Sequence, residues 1–203
     1  MKMKTPGPSV LEIIAEDVVV ERDVMVTMRD GIRLATDVYR PAAAGAALDG
    51  RYPVIMERTP YGKQARSRSE IELGMALPMT RAEVATHFVR AGYVVIYQDC
   101  RGRYHSEGEF TKYLAEAEDG YDTAAWLIAQ PWSNGRFGTM GLSYAAHTQA
   151  ALACLNAPGL ACMVMDSGGF SNAFRCGIRQ GGAFEMKQAT WAYNNARESA
   201  LAA

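Results

Sequence analysis

The segment GRFGTMGLSYAAH, residues 135–147, places a serine between a short apolar run and an alanine-rich stretch. Gly141 stands two residues before Ser143, and small alanines follow the serine within three residues. This spacing is typical of a nucleophile elbow, a tight strand-to-helix turn in which larger neighbouring side chains would collide. In such a turn the hydroxyl projects above the sheet, and the next backbone N–H can stabilise a developing oxyanion.

The same pattern has a second interpretation. Serine is a preferred N-cap residue, so Ser143 can also be read as a cap that accepts a hydrogen bond from the first turn of the following helix. Caps are common and elbows are rare, so the local residues alone leave both interpretations open.

The segments around Ser143 alternate between strand-like apolar runs and helix-like amphipathic runs. An Asp30-Gly31 turn joins two further alternating segments into a hairpin. Strands that alternate with helices indicate βαβ units, so we predict an α/β fold with a mainly parallel sheet, helices on both faces and an antiparallel edge. The predicted strands are 53–56, 93–99, 136–142 and 160–166, and the predicted helices are 80–92, 114–131, 144–157 and 184–203.

Burial can also be predicted for the second of these helices. Its apolar spacing favours an inward face formed by Tyr121, Ala125, Trp126 and Ile128. Trp126 and Trp132 are interpreted as core and loop-anchoring aromatic residues.

Two loops and the cysteines complete this set of expectations. Residues 42–50, AAAGAALDG, are expected to form a flexible surface connection, and the basic segment KQARSRS, 63–69, to form a solvated loop. Cys154 and Cys162 lie in apolar runs and are expected to be small buried side chains, while Cys100 and Cys176 complete a set with no metal-ligand spacing.

Composition excludes some classes of function. The chain has 203 residues, 21 Lys plus Arg and 22 Asp plus Glu, for a formal charge of −1. A near-neutral chain lacks the electrostatic footprint of a protein that binds nucleic acid or an anionic membrane. Acidic residues interrupt the apolar positions near the N-terminus, and unpaired cysteines favour a reducing compartment, so we expect a cytoplasmic protein.

Three further segments carry specific motifs: ERTPYGK (57–63), QDCRGRYHSEGEF (98–110) and EDGYDTAAWLIAQPWSNGRFG (118–138). Together with GLSYAA they resemble the cocaine esterase / X-prolyl dipeptidyl-peptidase family of α/β-hydrolases, which also includes α-amino acid ester hydrolases and glutaryl-type acylases. The motifs occur in the same order and with similar spacing, from about Val24 to about Gly169. The resemblance implies a serine hydrolase of esters or amides that uses no metal or organic cofactor.

The resemblance also implies a role for three residues. Ser143 matches the nucleophile, which attacks the substrate carbonyl to form an acyl-enzyme. The main-chain N–H of Tyr144 matches one oxyanion donor, and Tyr61 matches the tyrosine whose hydroxyl is the second. Tyr61 also follows a predicted sheet strand, where open α/β sheets place their ligands. The alternative for Tyr61 is a turn aromatic packed on the surface.

Four other motif residues are interpreted as mainly structural. Asp99 and Arg101 can pair to hold the loop after a core strand, and Ser106 with Glu107 can attach its exit. Ion pairs that organise a loop are a more usual role than direct catalysis.

The sequence departs from the family pattern in two places. Ala146 stands where the family has glycine, which implies slightly looser packing between helix and strand. In the family, the triad aspartate and histidine follow the nucleophile on later strands, yet here no histidine follows His147. The resemblance therefore implies an α/β-hydrolase fold incomplete at its C-terminus, with residues 1–182 as the N-terminal part of the catalytic domain and 183–203 as the beginning of a helical cap.

Each of the three histidines is a candidate substitute for the base, which must reach hydrogen-bond distance of the serine hydroxyl. His147 lies on the helix that leaves the elbow and is expected to pack against the sheet. His105 lies on a loop at the correct end of the sheet and is the better candidate, and His87 is interpreted as structural.

Three hypotheses remain at this stage. The first is a serine hydrolase acting on a small-molecule ester or amide or a short peptide; the others are a non-catalytic module that binds a small ligand and a fragment without independent function. An exposed sheet edge predicts marginal stability, with homodimerisation through that edge as the alternative.

Overall fold

The computed structural model describes residues 9–67, 74–168, 179–180 and 183–202, with side chains described for 9–67, 74–168 and 183–196. Cys176, residues 68–69 of the basic segment and the first eight residues of the chain lie outside this part, so the expectations about them stay untested. The elements are β1 (Val10–Ala15), β2 (Val18–Thr27), β3 (Arg33–Ala43), β4 (Ala46–Ala47), β5 (Tyr52–Thr59), α1 (Arg81–Arg90), β6 (Val94–Asp99), α2 (Glu116–Ile128), β7 (Ser133–Leu142), α3 (Tyr144–Ala153), β8 (Leu160–Asp166), β9 (Arg179–Gln180), β10 (Ala183–Phe184) and α4 (Met186–Ala202).

The main sheet has a parallel half and an antiparallel half. Its strand order is β1-β2-β3-β6-β5-β7-β8, with β4 paired to β3 outside this path. Strands β6, β5, β7 and β8 run parallel, whereas β3 pairs antiparallel with both β2 and β6. The predicted α/β fold is confirmed. The antiparallel half is larger than the predicted hairpin, because β1 adds an edge strand and β4 adds a short one within the connection expected to be flexible.

Helices cover both faces of the sheet, as predicted. The continuous apolar run of β6 is buried throughout, because its alternate side chains meet different helices. Val94 and Ile96 pack in a core with residues of α2 and α3, while Val95 and Tyr97 pack in a second core with residues of α1. Helix α1 begins with a capping box between Thr80 and Glu83, which satisfies amides at its first turn.

The predicted inward face of α2 was wrong in part. Ala125 is exposed, and Tyr121, Trp126 and Ile128 are only half-buried. The most buried side of α2 carries polar residues near its N-terminus, and these residues cover the buried Arg58. A prediction based on the spacing of apolar residues therefore selected the wrong side of the helix. The buried positions of α2 are Glu116, Asp119, Gly120, Thr123, Ala124 and Leu127.

The two tryptophans near α2 do belong to the core. Trp132 is 6% exposed, and its ring meets that of Trp126 edge to face at 6.0 Å between centroids. Both pack in the cluster between the sheet and α2, as predicted.

The predicted burial of two cysteines was wrong. Cys154 and Cys162 are exposed, whereas Cys100 is buried. Cys154 follows the last turn of α3, and Cys162 lies on β8, which pairs only with β7 in the described part of the chain. Val164 on the same strand is 64% exposed, which agrees with the expected exposed edge. Among the described residues, no helix combines the length and hydropathy that a bilayer span requires.

Candidate active site

Ser143 occupies a strained turn between β7 and α3. Its φ is 59° and its ψ is −107°, a combination that non-glycine residues rarely adopt and that costs about 1–3 kcal/mol. The backbone on both sides holds this conformation. The Ser143 N–H donates to Asp166 O at 2.9 Å, and the Ser143 carbonyl accepts from the N–H groups of Ala146 at 3.1 Å and His147 at 3.2 Å.

Glycines make room for the turn. Gly141 has a φ of 140°, and a Cβ at this position would lie 2.4 Å from the Cβ of Ala145. A Cβ on Gly168 would lie 2.8 Å from the carbonyl oxygen of Ser143. The first glycine therefore lets the helix start close to the strand, and the second lets the chain after β8 pass beside the serine.

The N-cap interpretation of Ser143 does not fit this geometry. Ser143 stands at the N-cap position of α3, but its side chain makes no cap hydrogen bond and its backbone lacks the usual extended cap conformation. The N–H of Tyr144 belongs to the first helical turn, whose amides have no intrahelical acceptor and lie at the positive end of the helix. The turn thus combines a hydroxyl without a capping function and an amide suited to an anion.

The sheet brings Tyr61 to the same end of the molecule. Strands β5 and β7 are parallel neighbours, so their carboxyl ends meet at one edge. Tyr61 follows β5 by two residues and donates its backbone N–H to Thr59 Oγ1 at 3.2 Å. Its side chain is 9% exposed and borders a small cavity together with Gly141 and Leu142. The alternative of a turn aromatic lying on the surface is therefore wrong.

An aromatic cluster surrounds the two tyrosines. The ring of Tyr144 meets Tyr61 edge to face at 6.4 Å and stacks on Tyr113 at 4.6 Å between centroids. Trp191 of α4 lies parallel to Tyr144 at 6.1 Å and edge to face with Tyr61 at 6.3 Å. The indole N–H of Trp191 donates to the Tyr61 hydroxyl oxygen at 3.2 Å. No sequence pattern singles out Trp191, because one aromatic residue on an amphipathic helix is usually a packing residue.

Beneath the turn at Ser143, a buried polar network holds the Tyr144 side chain. Its hydroxyl donates to Glu116 Oε1 at 2.8 Å and accepts the backbone N–H of Tyr113 at 3.0 Å. Glu116 pairs with the guanidinium of Arg58 at 3.1 Å, and both side chains are almost fully buried. Burial and the nearby Glu116 carboxylate raise the Tyr144 pKa, so this hydroxyl stays protonated as the donor.

The loop that carries Tyr61 is fixed by a second buried network. The backbone N–H of Lys63 donates to Asp99 Oδ1 at 2.7 Å, and its Nζ contacts Asp23 at 2.6 Å and Asp37 at 2.9 Å. Burial lowers the Lys63 pKa, but the carboxylates of Asp37, Asp99 and Asp23 outweigh this and raise it overall. Burial raises the pKa of Asp99 to about 6, although Lys63 opposes this.

The expectation of a solvated basic loop was therefore wrong at Lys63, whose side chain is 1% exposed. Three carboxylates from β2, β3 and β6 surround it. These partners are distant in sequence, so the local composition of the basic segment does not predict that Lys63 is buried. Farther along the segment, Arg66 is exposed and donates to the carbonyl of Pro78 at 2.7 Å.

The predicted pair of Asp99 and Arg101 does not form. Arg101 instead forms ion pairs with Asp119 of α2 at 2.5 Å and with Asp30 at 2.6 Å. Asp99 is the last residue of β6 and accepts the backbone N–H of Lys63. Arg101 lies in the turn that follows the strand, where its side chain reaches Asp30 and Asp119 instead. Both residues organise loops, but different ones.

Ser106 and Glu107 attach the loop after β6 to β3, as predicted. The hydroxyl of Ser106 donates to Asp99 O at 2.7 Å and accepts the backbone N–H of Ala35 at 2.9 Å. Glu107 pairs with both the side chain and the backbone N–H of Arg33.

None of the three histidines is hydrogen-bonded to Ser143 within the described part of the chain. His105 Nδ1 lies 3.0 Å from Asp23 Oδ1, next to the Lys63 pair. The ring of His147 contacts that of Tyr113 at 4.9 Å between centroids. Burial, and the charge of Lys112, lower its pKa. His87 is exposed on α1.

Comparisons with known proteins identify the family. Residues 30–202 match the X-Pro dipeptidyl-peptidase (S15) family. The chain belongs to this family. It is 41% identical to cocaine esterase from Rhodococcus sp. (strain MB1 Bresler) over 130 residues, which cover 64% of this chain and 20% of the relative.

Solved structures agree with this assignment. A CocE/NonD family hydrolase from Staphylococcus aureus has 34% identity and a TM-score of 0.61, covering 72% of this chain and 27% of the other. An α-amino acid ester hydrolase has 26% identity and a TM-score of 0.60, covering 86% and 30%. The chain thus belongs to the S15 family and has an α/β-hydrolase-like sheet. It spans about a fifth of the length of the curated relatives that it matches.

Proposed function

We propose that Ser143 is the nucleophile of a serine esterase or amidase and forms an acyl-enzyme. The strained backbone of Ser143, with φ 59° and ψ −107° at a helix start and no cap bond, carries this proposal. A protein keeps such strain where the surrounding structure requires it, often at a functional site. Membership of a family that contains esterases and dipeptidyl-peptidases supports the same assignment.

The proposed step is acyl transfer. Ser143 Oγ bonds to the substrate carbonyl carbon while its proton passes to a general base, and the carbonyl oxygen takes the negative charge. The N–H of Tyr144 and the hydroxyl of Tyr61 donate hydrogen bonds to that oxygen. Collapse of the intermediate expels the alcohol or amine, which receives the proton from the base, and water then releases the acyl group as an acid.

The proposed substrate class is a small ester, an amide or a short peptide. The elbow is flanked by aromatic side chains from Tyr61, Tyr144 and Trp191, which favours an apolar group beside the scissile bond. One relative is a cocaine esterase, and the family is named for X-Pro dipeptidyl-peptidases. Esters and X-Pro peptides are therefore the two substrate classes to compare.

Neither His105, which contacts Asp23, nor His147, which contacts Tyr113, is hydrogen-bonded to Ser143, so neither is proposed as the general base. The same observation favours a second candidate function, a module that binds a small acyl ligand without cleaving it. The two candidates differ in one measurable property, the reactivity of the Ser143 hydroxyl.

The test uses a short-chain p-nitrophenyl ester with and without added imidazole, which can serve as an external base. The hydrolase proposal predicts a burst of p-nitrophenol and an acyl mass increase on the peptide that contains Ser143, with imidazole increasing both. Ser143→Ala abolishes the labelled peptide, while the matched control Ser167→Ala, whose hydroxyl bonds to Asp166 on the surface, retains it. Reversible ester binding with no acylation of Ser143, even with imidazole, would favour the binding module.

A further inference from the structure

We propose that Trp191 is a positioning residue for Tyr61: its indole N–H donates to the phenol oxygen and directs the Tyr61 hydroxyl proton toward the oxyanion formed at Ser143. This inference rests on the function proposed above. It assigns a role in the proposed chemistry to helix α4.

The direction of the hydrogen bond carries the argument. An indole nitrogen can only donate, so in the 3.2 Å contact the Tyr61 oxygen must be the acceptor. The phenol proton lies near the plane of the ring, on one side of the oxygen or the other. A donor that occupies one side favours the proton on the opposite side. Trp191 approaches from α4, whereas Gly141 and Leu142 border the same small cavity as Tyr61.

The bond also strengthens Tyr61 as a donor. Hydrogen bonds in a chain polarise one another, so a hydroxyl that accepts an N–H donates its own proton more strongly. The Nζ of Lys112 lies 3.8 Å from the centre of the Trp191 ring. A cation over an aromatic face interacts favourably with the ring and holds it in place. Lys112 also donates to Gln188 one turn before Trp191, at 2.5 Å.

Helix α4 is braced against the loop that carries Tyr61. The buried Arg103 donates through Nε to Pro60 O at 2.8 Å and through Nη1 to Asn195 O at 3.0 Å. Asn195 in turn donates through Nδ2 to the carbonyl of Trp191 at 2.8 Å. One guanidinium therefore joins the residue before Tyr61 to the helical turn after Trp191, which fixes donor and acceptor relative to each other.

The bond itself can be observed by NMR. The chain has three tryptophans, so its indole N–H region should contain three signals, and Trp191→Phe assigns the signal of interest. We expect Tyr61→Phe to move this signal upfield and speed its exchange with solvent, with little change in the signals of Trp126 and Trp132. An unchanged Trp191 signal in Tyr61→Phe would overturn the proposed bond.

The effect on reactivity is measured by labelling Ser143 with an alkyl fluorophosphonate in the presence of imidazole. We expect Trp191→Phe to lower the maximal labelling rate about 5- to 10-fold, the value of one ordinary hydrogen bond, with the half-saturating probe concentration little changed. A tryptophan analogue at position 191 with sulfur in place of the indole N–H keeps the shape of the ring but cannot donate the hydrogen bond. It should lower the maximal labelling rate by the same factor. Trp126→Phe is the control for loss of an indole elsewhere in the core.

The outcomes separate the two proposals. The positioning role would be overturned if Trp191→Phe changed only the half-saturating probe concentration and not the maximal labelling rate. It would also be overturned if the sulfur isostere at position 191 were labelled as fast as the native chain. Either result would leave Ser143 as the nucleophile. Absence of Ser143 labelling in the native chain would overturn the proposed function, whereas the indole signal would still report whether Trp191 bonds to Tyr61.

Discussion

The two proposed oxyanion donors are held in different ways. The Tyr144 amide is placed by local backbone geometry: Gly141, Ser143 and Ala145 form one strand–turn–helix unit within a few residues. Tyr61 is placed by side chains from distant segments, since Lys63 meets carboxylates of three strands and Trp191 reaches it from a helix 130 residues away in sequence. Steric exclusion controls the first arrangement, and buried polar pairing controls the second.

This difference predicts how each arrangement responds to change. A steric turn tolerates almost no added atoms but is insensitive to pH, because no ionisable group defines it. A network of buried charges tolerates small changes of shape but depends on each partner and on its protonation state. Substitutions in the two regions should therefore differ in both size and pH dependence.

The largest effect is expected for Gly141→Ala. The added Cβ would lie 2.4 Å from Ala145 at a φ of 140°, so clash and backbone strain together should destabilise the fold by about 3–5 kcal/mol. Urea unfolding measures this. Gly135→Ala is the matched control, because its φ is 84° with open space around the new Cβ, and should show the smaller cost of strain alone, about 1–2 kcal/mol. Equal losses in both variants would show that the clash with Ala145 is not decisive.

The next effect is expected for Lys63→Met. This variant removes the charge that most lowers the pKa of the buried Asp99 and one partner of Asp37, so we expect a loss of about 3 kcal/mol. Hydrogen exchange should rise at residues 59–63 and stay unchanged at 141–146. Arg90→Met, which removes an exposed pair with Asp17, should leave stability unchanged within error. Faster exchange in both segments would show that the two arrangements are not independent.

The pH dependence is tested by Asp99→Asn. Burial raises the pKa of Asp99 to about 6. The native chain therefore loses stability as pH rises from the unfolded-state pKa of about 4 to about 6, because in this range the unfolded chain has released a proton that the folded chain still holds. Asparagine keeps an acceptor for the Lys63 N–H and does not ionise. The stability of Asp99→Asn relative to the native chain should therefore improve by roughly 1–3 kcal/mol between pH 4 and pH 7. A difference that does not change with pH would mean that Asp99 ionises normally.

The smallest effect is expected for Thr59→Val. Thr59 Oγ1 accepts the Tyr61 N–H at 3.2 Å, and valine keeps the shape without the acceptor. One neutral hydrogen bond is worth about 1 kcal/mol. Thermal unfolding should show a loss of this size, with Thr86→Val on α1 as a control for removing a hydroxyl that bonds within its own helix. No difference between the two variants would remove Thr59 from the set of residues that hold the Tyr61 loop.

Sequence reasoning succeeded where the determinants are local. The spacing of Gly141, Ser143 and Ala145 predicted the turn because the steric requirement acts within five residues. The alternation of strand-like and helix-like segments from β5 to β8 predicted βαβ units for the same reason. The motif around Tyr61 predicted its position at the sheet edge, since parallel strands fix where their carboxyl ends meet.

Long-range polar pairing could not be predicted in this way. Arg58, Glu116 and Lys63 are charged residues whose buried partners lie on other elements, and a charge has no periodic signature that reveals its partner. Arg101 is a second case, because its partners are Asp30 and Asp119 and not the predicted Asp99. Trp191 is a third, because its polar contact depends on where α4 docks.

The central claim is that Ser143 reacts at a site where Tyr61 donates to the developing oxyanion. The direct test is the rate of fluorophosphonate labelling of Ser143 in Tyr61→Phe, measured by mass spectrometry of the labelled peptide with imidazole present. The account predicts labelling of the same serine at a rate about 10²- to 10³-fold below that of the native chain. Equal rates in the two chains, or a label on a residue other than Ser143, would contradict it.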